Sequence, residues 1–306
     1  MKALIYACGG GWGHLTRAAA LARALDFPTI LSNSPYLQSV CHAMPELSIE
    51  SVASREHAVA RIVSEDPDVL IVDTFPRGLG GELADLLPSL RATKALVHRV
   101  LNPDYVGWGN LRQFVADHYD CVLCPGERGE FAGLPQAVDT APWLVRESVS
   151  IAARADVVIC AGGNAEELPW YGDVAALLGR DVDVRCIAAE LPPACPSEIW
   201  IRHWPSIDWI ANAKVVVGGA GYNTVHECVA LGVPLIARPW PRKYDRQEWR
   251  AAQHPGITVV TTSQEARRAA LEALRRPTQP RPIFRNGADD AAKVIRAIFE
   301  QKQIAT

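Results

Sequence analysis

Short runs of continuously apolar residues recur along the chain, each followed by a glycine or polar turn and often by an amphipathic stretch. In the first half they are 3–8, 29–31, 69–72, 95–98 and 121–123; in the second they are 157–161, 184–187, 199–201, 215–217, 234–237 and 257–260. Continuous rather than alternating apolarity is typical of strands buried on both faces of a parallel sheet. The pattern therefore predicts an α/β fold.

The stretches between these strands predict helices over 15–25, 81–87, 224–231 and 264–274. Strand periodicity weakens between residues 125 and 154, where glycines and prolines interrupt it. We therefore expect two domains, 1–149 and 150–306. Another break over 277–282 precedes a last helix, about 289–300, that could pack back across the first domain.

The composition is that of a globular protein with enough apolar residues for two cores. Hydrophobic residues make up 49% and charged residues 21% of the 306 positions. A formal charge of −3 argues against a general nucleic-acid binder, which normally carries a large basic excess. The apolar start is too short for a signal peptide, and no run of about 20 apolar residues occurs. We expect a cytoplasmic protein without a transmembrane segment.

The eight cysteines are scattered, and several lie inside apolar runs. Cys121 and Cys124 have the spacing of a metal-binding pair. In a strand, however, residues three apart point to opposite faces, and no second pair stands at ligand spacing. We interpret the cysteines as reduced core residues and expect neither a structural metal nor a cofactor.

Two glycine loops link a strand to a helix. The first, 9–14, follows the strand at 3–8, and the second, 218–224, follows the strand at 215–217. Glycines let backbone N–H groups approach an anion, and the helix N-terminus adds about half a positive charge there. One such loop in each half of the chain indicates two nucleotide-binding-type domains that face each other.

Neither loop has the signature of the commonest nucleotide ligands. A dinucleotide fingerprint needs an acidic residue at the end of the second strand, where Ser32, Asn33 and Ser34 stand instead. Neither loop ends in Lys-Ser or Lys-Thr, which excludes a P-loop. The pairs Asp66-Pro67-Asp68 and Asp181-Val182-Asp183 precede strands, whereas ligands bind at the carboxyl ends of strands. A diphosphate site without a metal is therefore favoured.

The segments 215–227, 230–236 and 245–251 together resemble the donor-binding region of the GT-B glycosyltransferases. The likeness is nearest to glycosyltransferase family 28, which includes the N-acetylglucosaminyltransferase of peptidoglycan synthesis and is related to the UDP-glycosyltransferases. At the other end of the chain, Gly11-Trp12-Gly13-His14-Leu15-Thr16-Arg17 is similar to the first loop and helix of that family.

This resemblance implies two Rossmann-like domains facing across a cleft, an acceptor-binding domain over 1–149 and a donor-binding domain over 150–306. It implies a diphosphate site formed by Gly218, Gly219, Ala220, Gly221, Asn223 and Thr224. Glu227 would bind the ribose, and Gln247 with Asp245 would contact the sugar. The base is expected near His203, in a loop that is basic and aromatic here but apolar and acidic in the family. Uridine is preferred only by analogy.

Glu227 also has a purely structural interpretation. The sequence Thr224-Val225-His226-Glu227 has the spacing of a capping box, in which the glutamate satisfies a backbone N–H group at the start of a helix. We favour ribose binding because the glycine loop and Gln247 accompany it.

Sugar transfer needs a base for the acceptor hydroxyl, and a histidine, with an ordinary pKa of about 6.5, suits that task. His14 lies where the first loop meets its helix, and Asp73 follows the strand at 69–72, so Asp73 could orient His14 or act as the base itself. The acceptor-binding candidates are Gly11, Gly13, Arg17 and Arg99.

The residues and the resemblance together predict a metal-independent glycosyltransferase that uses a nucleoside diphosphate sugar. The resemblance further implies inverting transfer and a uridine diphosphate donor. The acceptor is not identified, and lipid-linked and small-molecule acceptors both remain open. A nucleotide-sugar epimerase or hydrolase on the same fold, or a non-catalytic nucleotide-sugar-binding subunit, would share the donor loop and are the alternatives.

Overall fold

The structure is a computed structural model that describes residues 1–146, 154–277 and 282–305. The chain divides into two compact units. The first comprises Met1–Val145 together with Arg285–Thr306, and the second comprises Arg146–Phe284. The C-terminal segment therefore belongs to the first unit.

The first unit is a parallel sheet with helices between its strands. Its strands are β1 (Ala3–Tyr6), β2 (Thr29–Ser32), β3 (Ile49–Ser51), β4 (Val69–Asp73), β5 (Thr93–Val97), β6 (Cys121–Pro125) and β7 (Ala137–Thr140). Its helices are α1 (Trp12–Ala24), α2 (Leu37–Ala43), α3 (Arg55–Glu65), α4 (Leu86–Ser89), α5 (Pro103–Gly107), α6 (Leu111–His118) and α12 (Gly287–Ala305), with a short 3-10 helix at Trp108–Asn110. The order in the described sheet is β3-β2-β1-β4-β5-β6-β7, and α12 packs against α1 and the β5–β7 side.

The second unit repeats this architecture. Its strands are β8 (Ala155–Ala161), β9 (Val184–Ala188), β10 (Trp200–Ile201), β11 (Ala213–Gly219), β12 (Leu235–Arg238) and β13 (Ile257–Val259). Its helices are α7 (Leu168–Leu178), α8 (Ile207–Ile210), α9 (Tyr222–Leu231), α10 (Gln247–Gln253) and α11 (Ser263–Leu274), with a short 3-10 helix at Ala165–Glu167. The order in the described sheet is β10-β9-β8-β11-β12-β13, and every pairing is parallel.

Burial of the strands on both faces explains their continuous apolarity. In β8, Val157 and Ile159 belong to the core on one face of the sheet, whereas Val158 and Cys160 belong to the core on the other. The α/β fold that the sequence predicts, with two parallel sheets and interleaved helices, is confirmed.

Two strands were missed, and one local prediction is wrong. The strands β3 and β7 were not predicted, and β7 lies in the stretch where periodicity weakens. A helix over 81–87 was predicted, but the described helix there is only Leu86–Ser89. Gly78 and Gly81 adopt positive φ angles of 85° and 95°, which a right-handed helix does not contain. This segment is therefore a turn that ends in a short helix.

Candidate active site

A buried histidine–carboxylate pair lies at the carboxyl ends of β1 and β4. These strands are neighbours, with Tyr6 opposite Val72 in the register, so the residues that follow them lie side by side. His14, in the first turn of α1, places Nδ1 2.6 Å from Oδ2 of Asp73, the last residue of β4. The sequence singled out both residues, and the structure brings them together.

Arg17 completes this cluster from the next turn of α1. Its Nε donates to Oδ1 of Asp73 at 2.9 Å, and its Nη2 donates to Oδ2 at 2.8 Å and to Oγ1 of Thr74 at 3.0 Å. Such a bidentate arginine–carboxylate contact fixes the carboxylate in one orientation. Asp73 is therefore held by two residues from successive turns of the same helix.

The environment sets the charges of the pair. Burial lowers the pKa of His14 below its ordinary 6.5, and the bond to Asp73 offsets this only in part. Burial alone would raise the pKa of Asp73, but the charge of Arg17 and the hydrogen bond from His14 outweigh it and hold the pKa far below its usual range. At neutral pH the cluster thus combines a neutral imidazole with an ionised carboxylate, which is the state that a general base requires.

Gly9 makes room for this imidazole. A Cβ atom at Gly9 would overlap Cδ2 and Nε2 of His14, whereas a Cβ at the neighbouring Gly10 would meet no atom within 4 Å. The first glycine loop therefore serves the histidine directly. This role was not predicted, although the adjacent glycines were visible in the sequence.

The remaining candidates of the first unit are the residues predicted to bind the acceptor. Arg17 was expected to bind an acceptor anion, but it is 2% exposed and its guanidinium is directed at Asp73 and Thr74. Arg99 is buried just beyond the carboxyl end of β5, and Gly11 is the N-cap of α1. Acceptor binding by Gly11, Gly13, Arg17 and Arg99 stays a prediction.

In the second unit, the predicted diphosphate loop leads into a helix without a side-chain cap. The loop leaves β11 at Gly218 and Gly219, and Gly221 is the N-cap of α9. No side chain caps α9, whereas Ser54 and Thr262 cap α3 and α11. The first N–H groups of a helix have no partner within it, so those at the start of α9 can bind an anion.

Glu227 lies on α9 and is not a capping residue. The helix begins at Tyr222, two residues before Thr224, so the capping-box interpretation of Thr224 and Glu227 is wrong. The Glu227 side chain is buried, and no hydrogen bond to its carboxyl group is present among the described residues. Burial, with a smaller contribution from the charge of Asp208, raises its pKa to about 8. A buried carboxyl group without a partner is costly, and a ligand could provide one.

Asp245 lies just before α10, and Gln247 is the first residue of that helix. Oε1 of Gln247 accepts a hydrogen bond from the backbone N–H of Trp240 at 2.9 Å. Asp245 accepts from Nη2 of Arg250 at 2.8 Å, and the fully buried Arg250 also donates from Nη1 to the carbonyl oxygen of Ala220 at 3.0 Å. Arg250 therefore ties the glycine loop to α10, a role that sequence reasoning missed because Arg250 was noted only as part of a motif.

His203, near which the nucleotide base is expected to bind, contacts the buried side chain of Asp208. Its Nε2 lies 3.0 Å from Oδ2 of Asp208 in α8, and Nε of Arg146 lies 2.8 Å from Oδ1 of the same residue. The His203 side chain is about one-third exposed. It can present an edge to a ligand while Asp208 fixes its orientation.

A third glycine loop was missed in the sequence. Gly162 and Gly163 follow β8 directly, and Cys160 in β8 is paired with Gly218 in β11. The loop at 162–164 therefore begins beside the diphosphate loop. The signal was present, because two glycines follow an apolar run, but a helix does not start immediately after them.

The Asp-x-Asp pairs lie away from these loops. Asp66 and Asp68 precede β4, and Asp181 and Asp183 precede β9, at the amino ends of those strands. Within the described ranges, no group of three or more His, Cys, Asp or Glu residues has an arrangement that could hold a metal ion. Both Cys121 and Cys124 are free and buried in β6.

Comparisons with known proteins identify a family segment and a fold. Residues 206–263 match the glycosyltransferase family 28 C-terminal domain. The spinosyn forosaminyltransferase SpnP is 13% identical, with a TM-score of 0.64 over 98% of this chain and 95% of that chain. The spinosyn rhamnosyltransferase SpnG complexed with thymidine diphosphate is 15% identical, with a TM-score of 0.61 over 98% and 96%. CalG4, the calicheamicin glycosyltransferase, is 13% identical, with a TM-score of 0.59 over 98% and 94%. No curated protein matches the sequence significantly.

None of the helices described above combines the length and the apolar composition that a membrane-spanning helix requires. The matched segment contains every residue that the sequence singled out for the donor except His203, which precedes it. These residues are Gly218, Gly219, Ala220, Gly221, Asn223, Thr224, Glu227, Asp245 and Gln247. The match over 206–263 and the fold together support a glycosyltransferase enzyme: the chain has the two-domain α/β fold of the GT-B glycosyltransferases, and residues 206–263 match the family 28 C-terminal domain.

Proposed function

We propose that the protein is a metal-independent, inverting glycosyltransferase that moves a sugar from a nucleoside diphosphate to an acceptor hydroxyl group. The first unit activates the acceptor and the second binds the donor. The observation that carries the proposal is the contact of 2.6 Å between Nδ1 of His14 and Oδ2 of Asp73, because it creates an oriented, neutral base at the end of a strand.

His14 acts as the general base. Asp73 occupies Nδ1, which leaves Nε2 to take the proton of the acceptor hydroxyl as its oxygen attacks the anomeric carbon. The imidazolium that forms is stabilised by the ionised Asp73, and Arg17 keeps Asp73 ionised. Direct attack from the face opposite the leaving group inverts the anomeric centre.

The donor is held through its diphosphate and its ribose. The bond between the anomeric carbon and the β-phosphate oxygen breaks, and the electron pair passes to that oxygen. The amide groups at the start of α9 are oriented before the reaction, so they stabilise this charge without reorganising. The buried carboxyl group of Glu227 is suited to the ribose hydroxyls, and Gln247 to the sugar.

Two nucleobases, uracil and thymine, are candidates for the donor nucleotide. The family 28 likeness favours uridine, whereas one structure of similar fold holds thymidine diphosphate. The test therefore uses sugars of both nucleotides, each incubated with a set of acceptor alcohols and analysed by mass spectrometry. A product heavier than the acceptor by one sugar residue, with release of the nucleoside diphosphate, is the expected result.

The alternatives give different products in the same experiment. An epimer or a free sugar formed without an acceptor would indicate an epimerase or hydrolase. Nucleotide binding without turnover would indicate a non-catalytic subunit. In the transferase, His14→Ala should lower turnover by about 10²–10⁴-fold and leave nucleotide affinity unchanged. Unchanged turnover would remove His14 from its role as the base.

A further inference from the structure

Three loops of the second unit emerge side by side at the carboxyl edge of its sheet. Gly218 of β11 pairs with Cys160 of β8 on one side, and Gly219 pairs with Arg238 of β12 on the other. Neighbouring strands lie about 4.8 Å apart. The loops after β8 and β12 therefore flank the diphosphate loop at close range.

One ion pair joins the two flanking loops across the end of β11. Arg242, in the loop after β12, places Nη1 2.5 Å from Oε1 of Glu167 and Nη2 2.8 Å from Oε2. Glu167 ends the 3-10 helix that follows the loop after β8. The Nη2 atom also lies 3.3 Å from where a Cβ of Gly163 would be, so the guanidinium packs against this backbone.

The two partners differ in their access to solvent. The side chain of Glu167 is 5% exposed, whereas that of Arg242 is 24% exposed. The carboxylate therefore anchors the guanidinium from the inside, and part of the cation remains open to a ligand. A guanidinium carries five N–H donors, so it can bind a carboxylate and a phosphate at the same time.

Two nearby arginines already have other roles in the structure. Arg250 is fully buried between Asp245 and the carbonyl oxygen of Ala220. Arg238 lies over the ring of Trp240, 3.9 Å from its centroid. Arg242 differs from both, since it combines a fixed guanidinium with partial exposure beside the diphosphate loop.

We propose that Arg242 is a further catalytic residue, one that binds the β-phosphate of the donor and neutralises the charge that develops when the nucleoside diphosphate leaves. Glu167 is its positioning residue. This inference rests on the proposed function, because it assigns a partner to the leaving group of that reaction. It adds a side-chain cation to the amide groups of α9.

The test is the ability to distinguish a diphosphate from a monophosphate. UDP, UMP, dTDP and dTMP are titrated calorimetrically into the wild type, Arg242→Gln and Arg180→Gln. Arg180 is exposed and lies before β9, at the opposite edge of the sheet, so Arg180→Gln removes the same charge as a matched control. We expect Arg242→Gln to lower the affinity for the diphosphate that binds the wild type by about 10–100-fold. The affinity for the corresponding monophosphate should fall by less than about twofold. Arg180→Gln should change neither affinity.

A second variant separates this role from a structural one, because Arg242→Gln leaves Glu167 buried without its partner. The double variant Arg242→Gln, Glu167→Gln removes both charges and should retain the selective loss of diphosphate affinity. The inference is overturned, while the proposed function stands, if the double variant binds the diphosphate as tightly as the wild type. The same holds if the affinities for the diphosphate and the monophosphate fall equally. If the wild type binds none of the four nucleotides, both fail.

Discussion

Replacing Glu227 by glutamine gives a prediction that needs no substrate. The side chain is buried in α9, and its pKa is raised from 4.5 to about 8, mainly by burial and secondarily by the charge of Asp208. The variant Glu227→Gln keeps the size of the side chain and a polar group but cannot ionise. It therefore isolates the cost of placing a carboxylate at this position.

The magnitude follows from the linkage between protonation and folding. Between pH 4.5 and about 8, the native protein retains the Glu227 proton and the unfolded chain loses it. The contribution of Glu227 to the free energy of unfolding is therefore fully present below pH 4.5. It decreases by about 1.4 kcal/mol per pH unit as the pH rises toward the native pKa. Over the whole interval the loss is about 5 kcal/mol, which is comparable to the stability of many domains.

The assay is urea unfolding of the wild type, Glu227→Gln and the exposed control Glu190→Gln at several values between pH 6 and 9. We expect the free energy of unfolding of Glu227→Gln to exceed that of the wild type by an amount that grows up to about pH 8 and then levels off. Glu190→Gln should follow the wild type in parallel.

A constant difference between Glu227→Gln and the wild type would refute this reasoning. The capping glutamate Glu265 illustrates the opposite case, because backbone hydrogen bonds from Thr261 and Thr262 lower its pKa to about 2. Its contribution is complete above pH 4.5 and is lost only as the pH falls. Glu265→Gln should therefore differ from the wild type by a constant amount between pH 6 and 9.

Three further predictions concern residues that form or support the two glycine loops and the His14–Asp73 pair. Gly9→Ala should displace the imidazole of His14 and lower turnover by at least tenfold in a glycosyl-transfer assay, whereas Gly10→Ala should retain activity, because a Cβ there meets no atom within 4 Å. Asp73→Asn should move the acidic limb of the kcat profile to lower pH, since Asp73 raises the pKa of His14; a limb that stays in place would contradict the assignment. Arg250→Leu removes the fully buried guanidinium that bonds Asp245 and the carbonyl oxygen of Ala220, so it should cost about 3–5 kcal/mol in urea unfolding and weaken nucleotide binding.

The sequence predicts those features of the fold that depend on buried strands. The runs at 3–8, 69–72, 157–161 and 215–217 all became central strands, because continuous apolarity reflects burial on both faces. The strand Ile49–Ser51 lies at the sheet edge, is only three residues long and is not fully buried, so its pattern is weak.

The candidate site was only partly predictable for a related reason. Both members of the His14–Asp73 pair follow apolar strands, and the suggestion that Asp73 orients His14 rests on that placement. The contacts of Arg17 and the pair between Arg242 and Glu167 depend on strand register and on which loops become neighbours. A local pattern contains neither kind of information.

The contribution of the amide groups at the start of α9 is the central physical claim. Gly221, the N-cap of α9, has a φ angle of −68°, which proline also adopts. Gly221→Pro therefore removes one N–H donor and is compatible with this φ angle. Gly221→Ala keeps the donor and adds a Cβ whose nearest contact, with Nε2 of Gln247, is 4.0 Å away.

Calorimetric titration of UDP and dTDP into the wild type and these two variants tests the claim most directly. We predict saturable binding of at least one of the two nucleotides to the wild type and to Gly221→Ala. Binding to Gly221→Pro should be weaker by about 10–100-fold, the loss expected for one hydrogen bond to a charged group. Equal affinities of Gly221→Pro and Gly221→Ala, or no binding of either nucleotide to the wild type, would contradict a diphosphate site at this helix.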